Sequence, residues 1–65
     1  MDAAELATRL LGSGKPITEA RVRKLLRHLI SPENFEATLR AIPDDVQREQ
    51  VRAFGAPLVR RRFQR

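Results

Sequence analysis

The chain has 65 residues, 13 of them Lys or Arg against 8 Asp or Glu, a net charge of +5 at pH 7 and no cysteine. That length sets one domain burying only about 60% of its unfolded surface, and the lack of cysteine excludes a disulfide framework and any thiolate metal site. The longest uncharged run, Ala53 to Val59, is seven residues, far short of the roughly 20 that cross a bilayer.

The N-terminal Met1-Asp2-Ala3-Ala4-Glu5 lacks the basic-then-apolar layout of a signal peptide. The expectation is a cytoplasmic chain that makes no membrane contact. Nineteen large apolar residues and eight alanines suffice for a thin core. The expected fold is all-α, a small bundle of three to four short helices. So thin a core also favours a partner or a second copy of the chain, a homodimer, as a source of stability.

Residues 2–12 read as a first helix, with Leu6, Ala7, Leu10 and Leu11 on one face and Asp2 and Glu5 in the first turn, where carboxylates suit the helix dipole. Gly12-Ser13-Gly14 ends it, and Pro16 reinforces the break. The second helix, 18–30, carries the clearest pattern. Thr18 is placed as its N-cap. Ile17 and Val22 are spaced as a hydrophobic staple. Val22, Leu25, Leu26, Leu29 and Ile30 follow the i, i+3, i+4, i+7, i+8 order of a core-facing helix.

Ser31-Pro32-Glu33 opens a third helix by cap, N1 proline and first-turn carboxylate, with Ile30 and Phe35 as a second staple. It carries Phe35, Leu39 and Ile42 and stops before Pro43. Asp44, with Gln47 three residues on, starts a fourth helix. Its stripe, Val46, Val51, Ala53 and Phe54, is weak. Gly55 reads as its C-cap and Pro57 as its stop. The chain then divides into a helical domain, 1–57, and a basic tail, 58–65. The expected core is Leu6, Leu10, Leu25, Leu26, Leu29, Phe35, Leu39 and Phe54.

Charge is unevenly spread. Residues 1–32 carry six bases and three acids, residues 33–54 three bases and five acids, and residues 55–65 four arginines and no acid. The outer face of the second helix presents Arg21, Arg23, Lys24, Arg27 and His28, with no carboxylate after Glu19. Arg23 with Arg27, and Lys24 with His28, set like or potentially like charges at i, i+4, which opposes an isolated helix by about 0.2–0.5 kcal/mol per charged pair. A single-sign face suits a partner bearing phosphates or carboxylates. Arg60, Arg61, Arg62 and Arg65 around Phe63 offer a second basic element, with the ring available for stacking.

The first helix, its turn and the basic second helix resemble a helix-turn-helix unit over about residues 3–30, the second helix being the one that enters a DNA groove. The turn from Leu11 to Thr18 is longer than the three or four residues usual there, and an ordinary helical hairpin carries the same pattern. Gly12-Ser13-Gly14-Lys15 is not a phosphate-binding loop: Arg9 stands at the required earlier glycine and Pro16 at the required Ser or Thr. Asp44 and Asp45 read as capping residues before they read as cation ligands. No nucleophile and base are paired.

The expectation is therefore a binding protein, not an enzyme, with no cofactor and no metal. Its expected partner is nucleic acid, duplex DNA above all, in transcription or replication control. The alternative is a protein-interaction module (adaptor, inhibitor or antitoxin-like) whose basic face meets an acidic protein surface. The acidic middle, Glu33, Glu36, Asp44, Asp45 and Glu49, suits docking or self-association.

Overall fold

A computed structural model describes residues 1–12 and 14–64. Among these residues four helices form: α1 (Ala3–Leu11), α2 (Glu19–Leu26), α3 (Pro32–Arg40) and α4 (Asp45–Phe63). Each starts on a side-chain cap, three of them expected from the sequence and the fourth, Asp2, expected inside the first turn of α1 and found one residue before it. The Asp2 carboxylate accepts from Glu5 N at 2.8 Å, the Thr18 hydroxyl from Arg21 N at 3.2 Å, the Ser31 hydroxyl from Asn34 N at 3.1 Å and the Asp44 carboxylate from Gln47 N at 2.8 Å. Such a cap contributes about 1 kcal/mol by satisfying an orphan N–H of the first turn.

The helices converge on one core: Leu6, Ala7 and Leu10 from α1, Val22 and Leu26 from α2, Leu29, Phe35 and Leu39, Ile42, and Val51 and Val59 from α4. Leu25 and Phe54, expected at its centre, are half-buried at its margin. Thr38 is fully buried because its hydroxyl donates to the Asn34 carbonyl at 2.7 Å, one turn back. α2 packs on α1 and α4, α3 packs on the same two helices, and α2 and α3 make little contact with each other. They occupy opposite flanks of a body 36 × 20 × 19 Å in extent.

Two helix ends differ from the sequence expectation. α2 stops at Leu26 instead of running to Ile30. Pro32 disfavours helical geometry in Ser31, and Ser31 must be extended, at φ −164° and ψ 163°, to cap α3. The chain leaves α2 through a tightened turn in which Leu25 O accepts from His28 N at 3.1 Å and Leu26 O from Leu29 N at 3.0 Å. This turn buries Leu29 at 2% exposure and turns Ile30 outward at 77%, so Ile30 forms no staple with Phe35.

α4 is the second correction. It runs straight through Gly55 and Pro57, so residues 58–63 are its last turns and not a tail. Gly55 is a packing position. A Cβ there would meet Phe35 Cε1 at 2.8 Å and Leu26 Cδ1 at 3.0 Å. Pro57 and Ala53, whose carbonyl loses its N–H partner to the proline, both lie on the solvent side, where water can take that carbonyl. Continuing the helix buries Val59 and lays Leu58 and Phe63 on the core. Burying such side chains at about 1.5–3 kcal/mol each offsets a proline penalty of about 3 kcal/mol.

Candidate functional site

Packing α2 against the C-terminal half of α4 brings together two basic elements that are 30 residues and more apart in sequence. Arg23 from α2, Arg27 just past its end and Arg62 from α4 stand around a groove of about 200 Å³ whose other lining residues are Leu26, Leu29, Leu58 and Val59. Arg23 also borders the neighbouring recess, which Arg61 shares with Glu19, Phe54 and Leu58. Four guanidinium groups thus face one carboxylate across the two recesses. That carboxylate is already held, since Arg23 Nη2 meets Glu19 Oε1 at 2.8 Å. The pair is exposed on both sides, so it contributes little to stability and exchanges readily for a ligand anion.

The remaining expected site residues separate. Lys24 is exposed on the other side of α2, where it borders a surface shared with Arg9, Lys15, Arg21 and Leu25. His28 is exposed in the turn after α2. Arg60 points to the far flank of α4, into a groove with Glu33 and Glu36. Arg65 lies outside the described residues.

Three arginines serve the chain's own backbone. Arg21 Nη1 donates to Pro16 O at 2.7 Å and its Nη2 to Arg9 O at 3.1 Å, which ties the end of α1 to the turn before α2. Arg48 Nε donates to Ile42 O at 3.1 Å, beyond the end of α3. Arg62 Nη1 donates to Leu26 O at 2.7 Å, the last carbonyl of α2. A guanidinium near a helix C-terminus adds a donor to the last carbonyls and complements the negative end of the dipole. Arg21, expected on the ligand-facing side, is half-buried and engaged internally. Phe63, expected as a free stacking platform, packs on the core and carries Arg62 over its ring at 5.2 Å.

Sequence reading missed the apolar floor between the arginines. A basic tail over 58–65 gives Leu58 and Val59 no connection with Leu26 and Leu29. The Glu19 and Arg23 pair was legible from its i, i+4 spacing. Arginine forks around such a surface can take phosphate or carboxylate oxygens in bidentate geometry. Among the described residues, no group of three or more His, Asp or Glu side chains is placed to hold a metal ion. No helix there is long and apolar enough to cross a membrane. Comparison of the chain with protein-family models, with curated proteins and with solved structures finds no match.

Proposed function

We propose that the chain binds nucleic acid, duplex DNA in the first instance, as a cytoplasmic, non-catalytic component of transcription or replication control. The observation that carries this reading is the meeting of Arg23 and Arg27 with Arg61 and Arg62 across α2 and α4, around two adjoining recesses that hold a single carboxylate. Arg23, Arg27 and Arg61 make the phosphate contacts, His28 follows Arg27 in the turn after α2, Lys24 on the other side of α2 adds only long-range charge, and Arg62 divides its donors between the ligand and Leu26 O. Arginines gathered around these recesses neutralise phosphates and release their counterions, which gives an affinity dominated by charge.

The test is a salt-dependent titration against duplex DNA, single-stranded RNA and an acidic peptide. The nucleic-acid reading expects log affinity to fall linearly with log salt, with a slope near −0.9 per neutralised phosphate on B-DNA. Replacing Arg27 by Ala should lower the slope by about 1 on every sequence tested. No complex with any duplex or single strand at micromolar protein in about 0.1 M salt, where non-specific binders reach 10⁻⁴–10⁻⁶ M, would sink it.

A second reading rests on a different observation. The groove floor is apolar, with Leu26, Leu29, Leu58 and Val59 between the arginines. Such a floor suits an acidic protein segment whose aliphatic side chains enter while its carboxylates meet Arg23 and Arg27. In the same titration that partner is marked by binding to the acidic peptide with shallow salt dependence and no binding to DNA.

A further inference from the structure

We infer that the outer face of α4 is a two-fold interface between two copies of this chain, paired antiparallel. The helix turns Val51, Gly55 and Val59 inward, which leaves Val46, Ala53 and Arg60 exposed on the opposite side. These three are seven residues apart, so they lie nearly in line along the helix. Val46 is 68% exposed, the most exposed large apolar side chain of α4 among the described residues. A lone exposed valine means little; the order of charge along the line is more informative. Glu49 lies near its start, Ala53 at its middle and Arg60 at its end.

That order is self-complementary in one direction only. A parallel pair would set Glu49 against Glu49 and Arg60 against Arg60. An antiparallel pair with its axis between Ala53 and Ala56 sets Glu49 of each copy against Arg60 of the other. Eleven residues make three turns to within about 20°, so Glu49 and Arg60 share one side of the helix, and residues on the same side meet in an antiparallel pair. Ala53 at the crossing allows close approach. A two-fold contact uses one patch on both copies and closes at the dimer. A second copy of the chain is the occupant that necessarily carries the reversed charge order.

The competing contacts are weak. Glu49 meets Arg52 at 3.5 Å, with both groups exposed, and exchanging such a pair costs little; Arg60 borders a groove with Glu33 and Glu36 of its own chain but makes no ion pair with either among the described residues. A single helix seam buries less than the roughly 1,200–2,000 Å² of a standard interface, so the dimer forms at high micromolar concentration. The inference does not depend on nucleic-acid binding, because Arg60 lies away from the groove shared by Arg23, Arg27 and Arg62.

Sedimentation of the purified chain without nucleic acid, from about 10 μM to about 1 mM, where so small an interface associates, tests it. The average mass should rise from the 7.4 kDa of one chain towards twice that value and no further. Glu49→Arg and Arg60→Glu should each weaken the dimer by about tenfold, since each replaces two symmetric attractions with repulsions. The double variant carrying both changes should recover it, because the charges are swapped across the axis. Helical circular dichroism controls for the fold. A constant monomer mass, growth beyond the dimer, or a double variant no better than the singles would overturn the inference. None of these results bears on the nucleic-acid reading, which fails only in the titration.

Discussion

Arginine does two jobs in this chain, and they separate residue by residue. Arg21, Arg48 and Arg62 donate to backbone carbonyls at or near the ends of α1, α3 and α2. Arg27 and Arg61 make no side-chain hydrogen bond or ion pair among the described residues. Replacing Arg62 by Ala removes one charge-assisted donor from Leu26 O, a partly buried contact at 2.7 Å, and should cost about 1 kcal/mol. The loss should be local, read as faster amide exchange at His28 and Leu29. Unchanged exchange there would show that the contact holds nothing. Gly55 gives a sharper test, because local and tertiary preferences conflict. In mid-helix, alanine beats glycine by about 1 kcal/mol. Here its Cβ would lie 2.8 Å from the ring of Phe35, itself only 3% exposed. Overpacking typically costs about 1–3 kcal/mol, so Gly55→Ala should lower the melting temperature. A rise would mean that Phe35 moves aside freely.

At the scale of elements, the starts of helices were legible and two of the ends were not. The caps of α2, α3 and α4 follow from Thr, Ser or Asp standing before an apolar period, with Pro32 at N1 as a further sign, and Asp2, expected in the first turn of α1, is its cap one residue earlier. Starts are read locally, because the cap bonds a group three residues on. Ends depend on what lies elsewhere. Gly55 and Pro57 look like a stop until Phe35 and Leu26 are seen filling the place of a side chain. The site is legible to the same degree: the sequence marks the cations of α2, but a basic run after Gly55 and Pro57 reads as a tail and hides the helix that completes their groove. The corrected end makes a prediction. A chain cut after Pro57 loses Val59, buried at 8% exposure, and the packing of Leu58 and Phe63. It also loses the Arg62 cap on α2. It should fail to unfold cooperatively, whereas an expendable tail could be removed with the melting transition intact. A sharp transition in that truncated chain, followed by circular dichroism, would restore the tail.

Across the whole molecule, charge is divided by architecture. α2 and α3 flank the body on opposite sides, each packed on α1 and α4. From Glu19 to His28, α2 and its turn carry Arg21, Arg23, Lys24 and Arg27 against Glu19 alone, while α3 carries Glu33 and Glu36 against Arg40. The body is 20 × 19 Å across, and the Debye length is about 10 Å in 0.1 M salt. A ligand on the α2 flank is therefore screened from charges on the α3 flank. This sets up a control in which the change in net charge is matched. Arg27→Glu and Arg40→Glu change it equally, and both residues are exposed. If binding were a response to overall basicity, the two variants would weaken DNA binding alike. If the groove between α2 and α4 is the contact surface, Arg27→Glu should lower affinity at least tenfold in about 0.1 M salt, by losing a phosphate contact and adding repulsion. Arg40→Glu should leave it within about twofold, since its field is screened at that distance. Equal losses would place the interface elsewhere, and a larger loss from Arg40→Glu would move it to α3.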